Sequence, residues 1–138
     1  MQPRVSFISL VVSDLARSRA FYVDGLGWEP IFAGDDVLMF PVGERLILSL
    51  WSIEGFTAEI GAAPASGVAP ITLAHNLATP AEVDDVLAEA ALLGAPVKPA
   101  VQREWGGYSG YFTDPDGFRW EIAVNPGETG AFVLPSPS

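Results

Sequence analysis

A chain of 138 residues, 49% hydrophobic and 17% charged, gains enough from burial to offset its ordering entropy, so disorder is excluded and one globular domain over 1–138 is expected. It has no cysteine, which removes disulfides, zinc–thiolate sites, iron–sulfur clusters and thiol nucleophiles. Seven Lys and Arg against 17 Asp and Glu give a formal charge of −10; no basic face for nucleic acid or an anionic membrane can be assembled, while the acidic field serves solubility or draws in cationic small molecules.

The opening MQPRVSFISLVV has a single arginine, a short apolar run and no small-residue cleavage site, so it does not read as a signal peptide. No window reaches the roughly 18 apolar residues of a membrane span, and a cytoplasmic location is expected. Val5 to Val12 is β-rich and ends at Ser13-Asp14, both good helix N-caps. A short helix follows, with Leu15, Phe21 and Tyr22 near one face and Gly25-Leu26-Gly27 as its stop. Trp28 to Ala33, Val37 to Val42 and Arg45 to Trp51 read as three strands separated by turn-like pairs. The unit is βαβββ.

Residues 54–68 are rich in Gly, Ala and Pro without sustained period, and read as a linker between modules at about 4–53 and 69–126. The pattern then restarts. Ile71 to His75 is strand-like, and Thr79-Pro80-Ala81-Glu82 combines a capping box with proline at the first helical position. Val83, Val86, Leu87 and Ala90 keep helical spacing until Leu93-Gly94-Ala95-Pro96 ends the run. Strands are expected near 97–103, 108–113 and 118–124. Ile8 aligns with Ile71, Leu26-Gly27 with Leu93-Gly94 and Phe40 with Phe112, in unchanged order and at slowly growing offsets. That is the mark of a duplicated unit.

The repeated βαβββ unit, with SDLARSRAFY after the first strand and FTDPDGFRWEIAVNP near the end, resembles the vicinal oxygen chelate superfamily, which includes glyoxalase I, bleomycin-resistance proteins, extradiol dioxygenases and fosfomycin-resistance enzymes. The resemblance implies an α+β fold in which two βαβββ modules form an eight-stranded incomplete barrel, a cup, with helices outside. It also implies homodimerisation and, in many members, a divalent metal inside the cup. Carried over by position, the family's metal ligands fall on Phe7, Ser49, Pro70 and Glu121, of which only Glu121 can bind a metal ion. With one histidine in the chain, no two-histidine iron site can be built. No metal and no cofactor are therefore expected.

Strand alternation from those positions lines the cup with Phe7, Ser9, Val11, Ser49 and Trp51 in the first module and Thr72, Ala74, Arg119, Glu121 and Ala123 in the second. Leu48, Leu50, Trp120 and Ile122 point the other way, into the core. His75 has the helix-side parity, so it is either a packed histidine or, through a bulge, the site's neutral-pH proton switch. Asn76 has cup parity but ends its strand. Glu121 is either a tuned acid–base group or a remnant neutralised by Arg119 or Arg45. Trp105 and Tyr108, in a WGGYSGYF segment similar to one in a branch of the superfamily, suit stacking on a flat or cationic ligand.

The resulting expectation is a metal-independent small-molecule binding protein that sequesters an aromatic or cationic compound through Phe7, Ser49, Trp51, Asn76, Trp105, Tyr108 and Arg119. One alternative is a metal-independent lyase or isomerase in which Glu121 moves a proton and Tyr108 or His75 assists. A second is a glyoxalase-like metalloenzyme with an incomplete ligand set, and a third is a partner-binding scaffold.

Overall fold

The computed structural model describes residues 1–136, and the chain divides after Gly67 into two compact units. The first contains β1 (Phe7–Val12), α1 (Leu15–Arg19), β2 (Phe32–Ala33), β3 (Val37–Pro41), β4 (Ile47–Ser52) and α2 (Ile53–Ile60). The second contains β5 (Thr72–Asn76), α3 (Pro80–Leu92), β6 (Val97–Gln102), β7 (Tyr108–Thr113), β8 (Arg119–Val124) and α4 (Gly127–Val133). Each unit is a βαβββ module with one four-stranded mixed sheet, in the orders β1-β4-β3-β2 and β5-β8-β7-β6. The first strand of each runs parallel to the last, and the remaining pairs are antiparallel.

Period two sets both cores. In the first module Leu10, Val12, Leu38, Phe40, Leu48 and Leu50 are buried on one face of the sheet. Asp14 caps α1 by accepting from the Ala16 and Arg17 amides, and the helix runs on into a π-helical turn, Ala20–Gly25, that buries Phe21 and Tyr22. Tyr22 meets Trp28 at 5.1 Å and Phe40 at 5.8 Å between ring centroids. Trp28 is thus used as core packing, and the expected strand Trp28 to Ala33 shrinks to Phe32–Ala33.

In the second module Val83, Leu87 and Ala90 of α3 cover Phe112, Trp120 and Ile122. The helix begins as its capping box requires: the Thr79 hydroxyl accepts from the Glu82 amide, and the Glu82 carboxylate accepts from the Thr79 amide at 2.9 Å. The Asp-Pro-Asp-Gly turn between β7 and β8 is held by buried Asp114, whose Oδ1 accepts from the amides of Asp116 and Phe118, both at 2.9 Å.

Two further segments depart from expectation. The stretch taken for a linker opens with α2, capped by the Ser52 hydroxyl, which accepts from the Gly55 amide at 3.0 Å, and closed by Gly61 in the left-handed region. Ile53, Phe56 and Ile60 keep helical spacing, but eight residues are too short a run to mark a helix against the Gly, Ala and Pro that follow, and the cap with packing on β4 holds it. After β8 the chain forms α4, a helix too short and glycine-rich to be read from spacing.

Candidate functional site

The strand register arranges the second module's sheet as rows of side chains on one face, opposite α3. One row is Thr113, Arg119 and Thr72; the next is Lys98, Tyr111, Glu121 and Ala74; the third is Val101, Ser109, Ala123 and Asn76. Arg119, Glu121 and Asn76 therefore share a face, as alternation predicts. His75 registers with Ile122, and Tyr108 with Val124. Both lie on the helix side, away from Glu121.

The Tyr108 hydroxyl donates to Asp84 Oδ1 on α3 at 2.6 Å; this bond, with desolvation and the repulsion of a phenolate by the same carboxylate, raises the Tyr108 pKa. His75 sits exposed on edge strand β5. Both stand across the sheet from Glu121, because alternate positions on an unbulged strand face opposite sides. The tyrosine that does meet Glu121 is Tyr111, whose hydroxyl donates to Oε2 at 2.7 Å. The acceptor carboxylate raises the phenol's pKa above its usual range, burial and the carboxylate's charge add to the rise, and the Arg103 guanidinium pulls against it.

Arg103 escaped the sequence reading for a definite reason. Between Lys98 and Val101 strand β6 carries one residue more than its partner β7, where Tyr111 and Ser109 are the paired positions. This bulge reverses the parity and brings Arg103 to the face that holds Lys98. There Nε donates to Ser109 Oγ at 2.8 Å and Nη2 to the Ser109 carbonyl at 3.0 Å. The guanidinium carbon lies 6.0 Å from the Tyr111 ring centroid.

A cavity of about 570 Å³ opens on this face, walled by Thr72, Lys98, Arg103, Tyr111, Thr113 and Arg119 among others. Glu121 stands behind Tyr111 and reaches the wall through the phenol. Asn76 Nδ2 is buried without a hydrogen-bond partner among the described residues, an unmet donor on the same face. Trp105 is half-exposed, with its ring across Gly107, where any Cβ would collide with the indole.

In the first module Ser49 is buried beside Ser9 and Met39, and Phe7 is exposed on the same face at the sheet edge. Trp51 shares that face, but Phe56 of α2 packs edge-on against it at 6.0 Å. The helix that replaces the expected linker thus occupies part of the surface offered to a ligand.

The position equivalent to Phe7 is not Pro70. Phe7 pairs with Ile47 and Thr72 with Arg119, each at the start of its ladder, so Thr72 takes the place. The four positions are then Phe7, Ser49, Thr72 and Glu121, a donor set of one carboxylate and two alcohols that does not fit a divalent transition metal. Among the described residues no three His, Cys, Asp or Glu side chains come together as a metal site.

The family model for the Glyoxalase/Bleomycin resistance protein/Dioxygenase superfamily matches residues 4–122. The chain belongs to this superfamily. A glyoxalase-related enzyme from Fulvimarina pelagi has a similar structure, with 32% identity, a TM-score of 0.83 and coverage of 91% of this chain and 90% of that one. Lactoylglutathione lyase from Agrobacterium tumefaciens is similar at 25% identity and a TM-score of 0.71, covering 88% and 93%. A fosfomycin resistance protein from Mesorhizobium loti, at 19% identity and a TM-score of 0.68 over 96% and 100%, shares the fold. No curated protein matches in sequence. Superfamily membership accounts for the duplicated modules.

Proposed function

We propose that this superfamily member is a metal-independent small-molecule binding protein whose ligand occupies the cavity of the second module. The observation that carries the reading is the cavity itself: an aromatic wall, two threonines and fixed polar groups, beside a chelating face reduced to Glu121. Tyr111 supports the aromatic part of the expected ligand. The cationic part loses its support, because Lys98, Arg103 and Arg119 line the wall. The proposal includes homodimerisation, in keeping with the superfamily, and a cytoplasmic setting; among the described residues no helix is long and apolar enough to cross a membrane.

A second reading, a lyase or isomerase, draws on the 2.7 Å bond between Tyr111 and Glu121. In it a proton leaving the ligand passes to the phenolic oxygen as the phenol's own proton moves to Glu121, so that the cavity wall relays a proton it could not otherwise hold. The test is a thermal-shift screen of neutral and charged aromatic compounds on the wild type and on Thr72→Trp, which fills the cavity from an exposed position. Saturable stabilisation in the wild type that vanishes in the variant is expected. Stabilisation that persists in the variant, or none at all, overturns the reading. Stabilising compounds transferred to D₂O discriminate the second reading: carbon-bound deuterium that is lost in Glu121→Gln favours the enzyme.

A further inference from the structure

The second module contains three cationic side chains, Lys98, Arg103 and Arg119, and all three line the same cavity. Its acids lie elsewhere for the most part, with Glu82, Asp84, Asp85 and Glu89 on α3 across the sheet. Among the described residues no hydrogen bond or ion pair engages the Lys98 or Arg119 side chain. In a chain of formal charge −10, ordinary solubility would scatter the few cations or pair them with the abundant carboxylates. Convergence of three like charges on one wall is unfavourable unless an anion lies among them.

We infer that the cavity takes a small organic oxyanion, a carboxylate or phosphate group on a flat apolar body, with Arg103 as the fixed anchor and Lys98 and Arg119 completing its coordination. This rests on the binding reading above and names its ligand class. Arg103 is pre-organised: its bonds to Ser109 use Nε and Nη2, leaving Nη1 for an oxyanion, and buried Ser109 keeps the fork from swinging. The hydroxyls of Thr72 and Thr113 add donors. Tyr111 turns its hydroxyl to Glu121 and presents its ring to the cavity, which suits the body of the ligand rather than its charged head. Glu121 accepts from the phenol, and among the described residues no ion pair joins it to Arg103.

The test uses benzoate, phenyl phosphate and neutral benzamide as probes, titrated calorimetrically at constant ionic strength into the wild type, Lys98→Gln and Arg119→Gln. These two side chains leave the Arg103–Ser109 bracket intact, so the variants fold. At least one anion is expected to bind saturably and more tightly than benzamide, and each substitution should weaken it about ten- to a hundredfold while leaving benzamide within about twofold. Preference between benzoate and phenyl phosphate identifies the head group, and either preference supports the assignment. Benzamide bound as tightly as both anions, or anion affinity unmoved by both substitutions, overturns the oxyanion assignment while the cavity reading stands. Absence of binding by any probe overturns the assignment too, and the Thr72→Trp screen then reports separately on the cavity.

Discussion

Tyr111 and Tyr108 show how a residue's chemistry follows from the face it occupies. Three positions apart on one strand, they donate to carboxylates on opposite sides of the sheet, Glu121 and Asp84. In both cases the acceptor carboxylate is the main cause of a raised phenol pKa. The bond from Tyr111 therefore contributes its full stability below the unfolded tyrosine value of about 10, and that contribution is lost as pH rises through the higher folded value. Spectrophotometric titration of the phenols should show at least one wild-type tyrosine ionising above pH 10, and this late component should shrink in Tyr111→Phe. The variant should also show a shallower loss of melting temperature on the alkaline side. A late component undiminished in Tyr111→Phe would separate Tyr111 from Glu121 in solution.

At the scale of the element, the bulge in β6 is the device that builds the site. Its extra residue is accommodated because Gly110 on β7 has no side chain: a Cβ there would lie 2.6 Å from Leu87 Cδ1 of α3, and 2.7 Å from both the Ala100 nitrogen and the Lys98 carbonyl. Backbone from one side and a core leucine from the other leave room for hydrogen alone. Gly110→Ala is therefore expected to destabilise the protein by about 1–3 kcal/mol through overpacking, measurable as a fall in urea midpoint at constant slope. Because the bulge also sets the parity of Arg103, the variant should weaken binding of any cavity ligand. A variant with wild-type stability would mean that β6 can shift aside without cost.

For the whole molecule, the question is what a duplicated fold keeps when its chelating positions change. The equivalent positions Ser49 and Glu121 sit third in β4 and β8, and Phe7 and Thr72 open β1 and β5. Soft or imidazole donors are absent from all four, and the one carboxylate already accepts a hydrogen bond from the Tyr111 phenol. Elemental analysis of protein purified without chelator, together with thermal shifts in nickel, zinc, iron and manganese, is expected to show no stoichiometric metal. One equivalent of metal lost in Glu121→Gln would restore a metal-dependent reading.

The local physics written in the chain determined most of the fold: alternation in β1, β4, β5 and β8, the Thr79–Glu82 capping box and the repeat of one unit along the sequence. Alternation and the cap depend on neighbours a few residues apart, and the repeat shows as the same pattern met twice, which is why each is legible. The face shared by Glu121, Arg119 and Asn76 followed from the same alternation once the strands were placed. What the tertiary structure alone decided depends on pairing between strands distant in sequence. One unpaired residue in β6 moved Arg103 across the sheet, register chose Tyr111 over Tyr108 and Thr72 over Pro70, and packing on β4 made a helix of an apparent linker that then covered Trp51. A single inserted residue inverts every later side chain on its strand, and the composition around it bears no mark of the inversion.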